Sequence, residues 1–156
     1  MTEDARFEDA RETPLNLAAF DPDDLKVISA LAQDAVFPIT EMRWDRRRHR
    51  FALLLNRFRW EDAGGDRHGP ERTQALLVVE NALGVASQGI DRNEADTVLS
   101  LLAVTFEPGE EGAGHLLLTL AGDGAIRLEI EALEVTLRDV TRPYPAPSGK
   151  VPRHDV

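Results

Sequence analysis

Two hydrophobic periods divide the chain. Leu25, Ile28, Leu31, Ala32 and Ala35 recur at helical spacing, which puts their side chains on one face of a helix. Ahead of them stand Asp21 as N-cap, Pro22 at the first helical position, then Asp23 and Asp24. A capping carboxylate, a proline whose missing N–H costs nothing there, and acids facing the positive end of the helix dipole together mark a helix start. The pattern predicts an amphipathic helix that ends before Pro38 with its stripe laid on a sheet, and Leu15 and Leu17 predict a short strand before it.

After Pro38 the period becomes two. Ile39 to Asp45 and Arg50 to Trp60 flank Arg46-Arg47-Arg48-His49, an arrangement that predicts a hairpin with a connection of about four or five residues. The second strand carries Phe51, Leu53 and Leu55 on one face and Leu54, Phe58 and Trp60 on the other, so it is expected at the centre of a sheet, covered on both sides. Glu61 to Glu71, with Gly64, Gly65, Gly69 and Pro70, reads as a loop. Ala75 to Val79 and Leu83 to Ser87 are strand-like and meet across Glu80-Asn81 in a bulge or a tight bend.

Asp91 to Thr97 reads as a single helical turn capped by Asp91 or Asn93, Val98 to Phe106 as the next strand and Pro108 to Gly114 as a loop. His115 to Ala121, Gly122-Asp123-Gly124 and Ala125 to Glu131 then carry a hairpin signature, since Asp-Gly supplies the positive φ of a tight turn. Beyond it the apolar phase slips from Ile126, Leu128 and Ile130 to Leu133, Val135 and Leu137, as a bulge near Glu131 would produce. Ile130, Leu133, Leu137 and Val140 also fit helical spacing, so residues 130–140 stand open between a strand, the preferred reading, and a helix. About seven or eight strands, one N-terminal amphipathic helix and no strand–helix–strand alternation predict an α+β fold. The expected architecture is a curved, mostly antiparallel sheet or open barrel with the helix packed on it.

Composition sets the bounds of this domain. The chain has 156 residues, 42% of them hydrophobic, enough for one domain with a core. Residues 1–14 hold five acids and little apolar surface and read as an acidic disordered arm. Residues 15–140 are expected to form the single globular domain, and residues 141–156, with Pro143, Pro145, Pro147 and Pro152, an extended tail. The absence of cysteine excludes disulfides, thiolate zinc sites and cysteine nucleophiles and fits a reducing compartment. With an acidic N-terminus and no apolar run of membrane length, the expectation is a cytoplasmic protein, neither exported nor membrane-spanning.

The chemistry to be found is sparse. His49, His68, His115 and His154 lack the short spacings of metal motifs, so no metal and no other cofactor is expected. Ser87 in Gly84-Val85-Ala86-Ser87-Gln88-Gly89 misses the Gly-x-Ser-x-Gly nucleophile elbow by one residue. The glycine turns lack the strand-to-helix setting and the lysine of a phosphate cradle, and no catalytic residue is assigned.

Charge singles out one segment. Against a net charge of −10, which disfavours nucleic acid and anionic membranes as partners, residues 40–60 hold Arg43, Arg46, Arg47, Arg48, Arg50, Arg57 and Arg59 with only Glu41 and Asp45 in opposition. Trp44, Phe58 and Trp60 are interleaved with them. Arginine beside aromatic rings can grip a carboxylate or phosphate and stack on a ring, so Arg57, Arg59, Trp60, Arg46, Arg47, Arg48 and Trp44 are the candidate ligand-binding residues. Arg57 and Arg59 continue the face of Phe51, Leu53 and Leu55; they line a pocket mouth, or a bulge near Asn56 turns them outward.

Leu55-Asn56-Arg57-Phe58-Arg59-Trp60, Ser87-Gln88-Gly89-Ile90-Asp91, Leu101 to Gly109 (Leu-Leu-Ala-Val-Thr-Phe-Glu-Pro-Gly) and Ile126-Arg127-Leu128-Glu129-Ile130-Glu131 together resemble a small bacterial family known as a domain of unknown function. The likeness spans nearly all of Leu15 to Tyr144 and implies a stand-alone bacterial protein. The Arg46 to Arg48 run is not part of the family pattern, and no activity, cofactor or residue role comes with the resemblance.

These readings lead to a non-enzymatic binding or interaction domain for an anionic ligand or an acidic protein surface. Two alternatives stay open: a small hydrolase or isomerase whose carboxylates and histidine meet only in the fold, and a structural homodimer formed through an exposed sheet edge.

Overall fold

Asp21 does what its position predicts: its Oδ1 accepts from the backbone N–H of Asp24 at 2.8 Å, satisfying one of the donors a helix start leaves unpaired. In the computed structural model, which describes residues 14–59, 71–91, 93–140 and 144–145, strand β1 (Asn16–Ala19) leads into helix α1 (Pro22–Leu31). Leu25 and Ile28 are the buried residues of the helix, and Ala32 and Ala35 continue the buried line past its end. The helix stops well short of Pro38, because Asp34 takes a positive φ of 64° and its N–H turns to Leu101 O at 2.7 Å.

The residues between helix and hairpin form a strand that the two-residue period does not show. β2 (Val36–Pro38) is only three residues long and ends in proline, a residue confined to strand ends and edges. A 3-10 turn (Ile39–Glu41) separates it from β3 (Met42–Asp45), and β4 (Arg50–Phe58) returns antiparallel to β3 with Asp45 opposite Arg50. The expected four-residue connection Arg46 to His49 is present, with His49 at φ 53° and Arg48 N–H donating to Asp45 Oδ1 at 3.2 Å. β5 (Glu71–Val79) pairs with β4 from Phe51↔Val79 to Phe58↔Arg72 without a register shift.

β5 and the next strand, β6 (Ala82–Gln88), do not continue one another. Asn81 adopts φ 59°, and β6 leaves to pair with β9, with a register irregularity between Ala82 and Gly84. Residues 93–97 form turns rather than a helical turn, with Asp91 Oδ1 accepting from Asn93 N–H at 2.9 Å. β7 (Val98–Pro108), β8 (Gly114–Leu120) and β9 (Ala125–Ile130) form an antiparallel meander. At the β8–β9 turn, the positive φ angles fall on Gly122 (78°) and Asp123 (70°) rather than on Asp-Gly.

The phase slip after Ile130 has a different cause from a bulge. Glu131 and Ala132 bend the chain out of β9, and β10 (Val135–Asp139) is a strand that pairs with β1 and β5. Residues 135–139 are therefore strand, and the phase changes because the chain changes neighbours. Within the stretch read as tail, β11 (Tyr144–Pro145) pairs with Glu71 and Arg72 of β5. The arm at 1–13, Trp60, His68, the rest of the 61–70 loop and His154 lie outside the described residues.

The path of hydrogen-bonded strands runs β1-β10-β5-β4-β2-β7-β8-β9-β6, with β3 on β4 and β11 on β5. Every described pairing is antiparallel, the sheet does not close, and the strands outnumber the seven or eight expected, two of the additional ones being β2 and β11, which are too short to show a period. The sheet curls around one apolar interior, to which β4 gives Phe51, Leu53 and Leu55, β8 Leu116, Leu118 and Leu120, and β9 Ile126, Leu128 and Ile130. Each such side chain contributes roughly 1.5–3 kcal/mol on burial. α1 packs on β7 and β1, and Ser29 Oγ accepts from Val104 N–H at 2.9 Å.

Candidate functional site

Odd positions of β4 face the interior, so the alternation that buries Phe51, Leu53 and Leu55 also carries Arg57 inward, fully buried. Its Nε donates to Asp139 Oδ1 at 2.9 Å and a terminal nitrogen to Oδ2 at 3.0 Å, a two-pronged pairing that fits the planar guanidinium to a carboxylate. A further N–H donates to Phe58 O at 3.3 Å. Arg59, 3% exposed, donates to Glu71 Oε1 at 2.7 Å, and Arg72 donates to Asn56 O at 3.1 Å. Of the two sequence expectations for this pair, the bulge does not hold, because the regular β4–β5 register leaves none at Asn56 to turn them outward; neither residue lines the groove described below. They face carboxylates of the chain itself.

The other end of β4 is different. A groove of about 650 Å³ opens between β3 and β6. One wall is built by Met42, Trp44 and Arg46, alternate residues that share the face of Phe51 and Leu53. The opposite wall is Leu83, Gly84, Val85 and Ser87 of β6, and Phe51 and Ile126 form the floor. Ile39, Thr40 and Ala95 close one end. Among the described lining residues Arg46 alone is charged, so the groove pairs an apolar floor and an indole with one guanidinium at its rim.

The structure therefore divides the candidate residues. Trp44, half-buried, and Arg46, exposed, line the groove together. Arg47 and Arg48 are exposed on the hairpin tip, Arg48 within 3.9 Å of Asp45. Arg57 and Arg59 lie away from the groove, and Trp60 is outside the described residues. Sequence reasoning missed the β6 wall. Leu83, Val85 and Ser87 alternate as a strand face should, but their place opposite β3 follows from the pairing of β6 with β9, which no local pattern encodes.

His115 lies on the outer face of β8, in register between Glu107 of β7 and Glu129 of β9, while the flanking Gly114 and Leu116 are buried. It does not line the groove. Among the described residues no group of three His, Asp or Glu side chains is placed to hold a metal ion, and no helix is long and apolar enough to cross a membrane.

Residues 15–154 match the model of a family described as "Protein of unknown function (DUF2948)". No curated protein and no solved structure matches the chain.

Proposed function

The chain belongs to that family of proteins of unknown function, and from this premise we propose that it is a non-catalytic binding domain that holds an anionic partner in the groove between β3 and β6. The observation that carries the reading is the composition of the groove: Trp44, Met42, Phe51 and Ile126 give an apolar, partly aromatic bed, and among the described lining residues Arg46 is the one charge. A concave, largely apolar surface with a few polar groups is the usual form of a ligand site. The guanidinium orients a carboxylate, sulfonate or phosphate, and the indole face covers the apolar remainder.

The surrounding charge supports the same partner. Arg47 and Arg48 extend the positive potential from the rim to the hairpin tip, so an anion approaching an otherwise acidic protein is steered to this end. Arg50 is engaged by Glu80, with Nε at 3.0 Å from both carboxylate oxygens, which holds the hairpin base without drawing on Arg46.

The test uses 1-anilinonaphthalene-8-sulfonate, an aromatic anion that fluoresces when it leaves water. Saturable binding to the folded protein is expected, weakened about fivefold by Arg46→Ala, as loss of an exposed charge contact of about 1 kcal/mol implies. Trp44→Ala is expected to weaken it by more than about tenfold, the scale of a buried aromatic anchor. Binding unaffected by both substitutions overturns the reading.

A further inference from the structure

The groove is an unclosed seam of the sheet. β3 is paired with β4 and β6 with β9, and among the described residues no strand pairs with the opposite edge of either. Such an edge carries a row of N–H and C=O groups directed away from the paired neighbour. The two edges run in opposite directions. β3 leads toward the hairpin tip, where His49 O accepts from Ala82 N–H at 2.9 Å, and β6 starts from that contact. At the other end Ile39 N–H donates to Thr97 O at 2.9 Å, continuing the β2–β7 ladder, so among the described residues the seam is tied at the hairpin tip and widens away from it. Along it lie inward-facing side chains that a closed barrel would bury: Leu83 is 41% exposed, and Met42, Trp44 and Val85 are covered only in part.

We infer that the occupant of this seam is an extended acidic peptide segment of another protein, which enters as an added strand between β3 and β6. The inference rests on the binding reading above and adds the class of partner. A compact anion satisfies Arg46 and leaves both backbone edges without a paired strand among the described residues, whereas an extended peptide satisfies a backbone edge and the groove at once. Its alternate side chains meet Phe51 and Ile126 while the others point to solvent. Because the walls are antiparallel to each other, the added strand lies antiparallel to one and parallel to the other. Charge then sets the composition of one end: Arg46, Arg47 and Arg48 stand where the seam meets the hairpin tip, so an Asp or Glu belongs on the peptide there, and a basic residue is repelled.

The experiment is a selection of a phage-displayed random dodecapeptide library against the full chain, followed by amide NMR with the enriched peptide made synthetically. The expected result is a sequence alternating apolar and polar residues with acid at one end, shifting the amides of Met42 to Arg46 and Leu83 to Ser87. N-methylation of alternate peptide nitrogens removes backbone donors and keeps the side chains, and should weaken binding about tenfold or more, as two lost backbone hydrogen bonds would. Arg46→Glu should do the same for the acidic peptide and improve a peptide with lysine in its place. Full binding by the N-methylated peptide overturns the inference, as do shifts away from both edges or a second copy of this chain occupying the seam in solution. If no peptide is enriched while the anilinonaphthalene sulfonate still binds in an Arg46-dependent way, the added strand is wrong and the anion site stands. If the sulfonate fails as well, both fall.

Discussion

Arg57 reaches across a whole strand to bind Asp139. β10, β5 and β4 lie side by side, Arg57 is opposite Thr73 and Asp139 is opposite Ala75, so the guanidinium passes over the short side chains of β5 to meet the carboxylate two strands away. Asp139 also ties down the start of the domain. Its Oδ2 accepts from Leu15 N–H at 2.8 Å, and its own N–H donates to Leu15 O at 2.9 Å. One buried carboxylate thus joins β4, β10 and the residue before β1, which is a structural use of an arginine that the sequence offers equally well as a ligand contact.

Removing one partner of this pair leaves the other charged and buried. Arg57→Ala and Asp139→Ala are each expected to destabilise the fold by about 3–5 kcal/mol, whereas the double change Arg57→Met with Asp139→Leu should recover part of that loss, since it leaves no unpaired buried charge although Leu15 N–H still loses its acceptor. Urea unfolding of the two single variants and the double variant checks this. A double variant as unstable as the sum of the singles would mean that the shape of the pair, not its charge balance, holds the three strands.

The helix start offers a smaller effect at a defined place. Asp21→Ala removes the acceptor for Asp24 N–H and is expected to cost about 1 kcal/mol, while Asp21→Ser should be close to neutral because a hydroxyl caps as well. For a domain of this size that loss lowers Tm by about 2–4 °C. A thermal melt of both variants reads it directly.

Local chemistry explains what the sequence disclosed. The N-cap of α1, the β3–β4 hairpin and the β8–β9 hairpin each depend on residues close in the chain: Asp21 and Asp45 with Arg50 are where their patterns place them, and the β8–β9 turn is in place with its positive φ angles one residue earlier, on Gly122 and Asp123. What escaped depends on distant partners. β2 exists because Val36 to Pro38 fit between β4 and β7, and β6 faces β3 because β9 holds it there. Of the candidate site, Trp44 and Arg46 were identified from charge and aromatic content, but the wall at Leu83 to Ser87 was not. The burial of Arg57 was half legible: strand alternation assigned it to the inner face, and only the fold brings Asp139 within reach.

Gly114 is required by space rather than by backbone freedom. A Cβ there would fall on the carbonyl oxygen of Glu107 and lie 2.9 Å from the Phe106 ring, and the carbonyl belongs to the paired strand and cannot yield. Gly114→Ala is expected to destabilise by about 1–3 kcal/mol, the range of overpacked sites. Gly84→Ala, whose Cβ would meet only Glu129 Oε1 at 3.9 Å, should change stability by less than about 0.5 kcal/mol. Equilibrium denaturation of the pair tests whether the β7–β8 contact is as close as the geometry requires.

The two sides of the groove should separate stability from binding. Phe51 is 2% exposed and belongs to the core as well as to the groove floor, whereas Leu83 is 41% exposed and lines the groove. Phe51→Ala is therefore expected to cost about 3–5 kcal/mol. Leu83→Ala should cost less than about 1 kcal/mol, because most of the deleted surface was already in contact with water. If the groove is a binding surface, Leu83→Ala nonetheless weakens the anilinonaphthalene sulfonate by several-fold, since a ligand buries the methyl groups that folding leaves exposed. Denaturation and fluorescence titration on the same preparation decide it: weaker binding at unchanged stability marks Leu83 as a wall of the site, and unchanged binding moves the ligand away from β6.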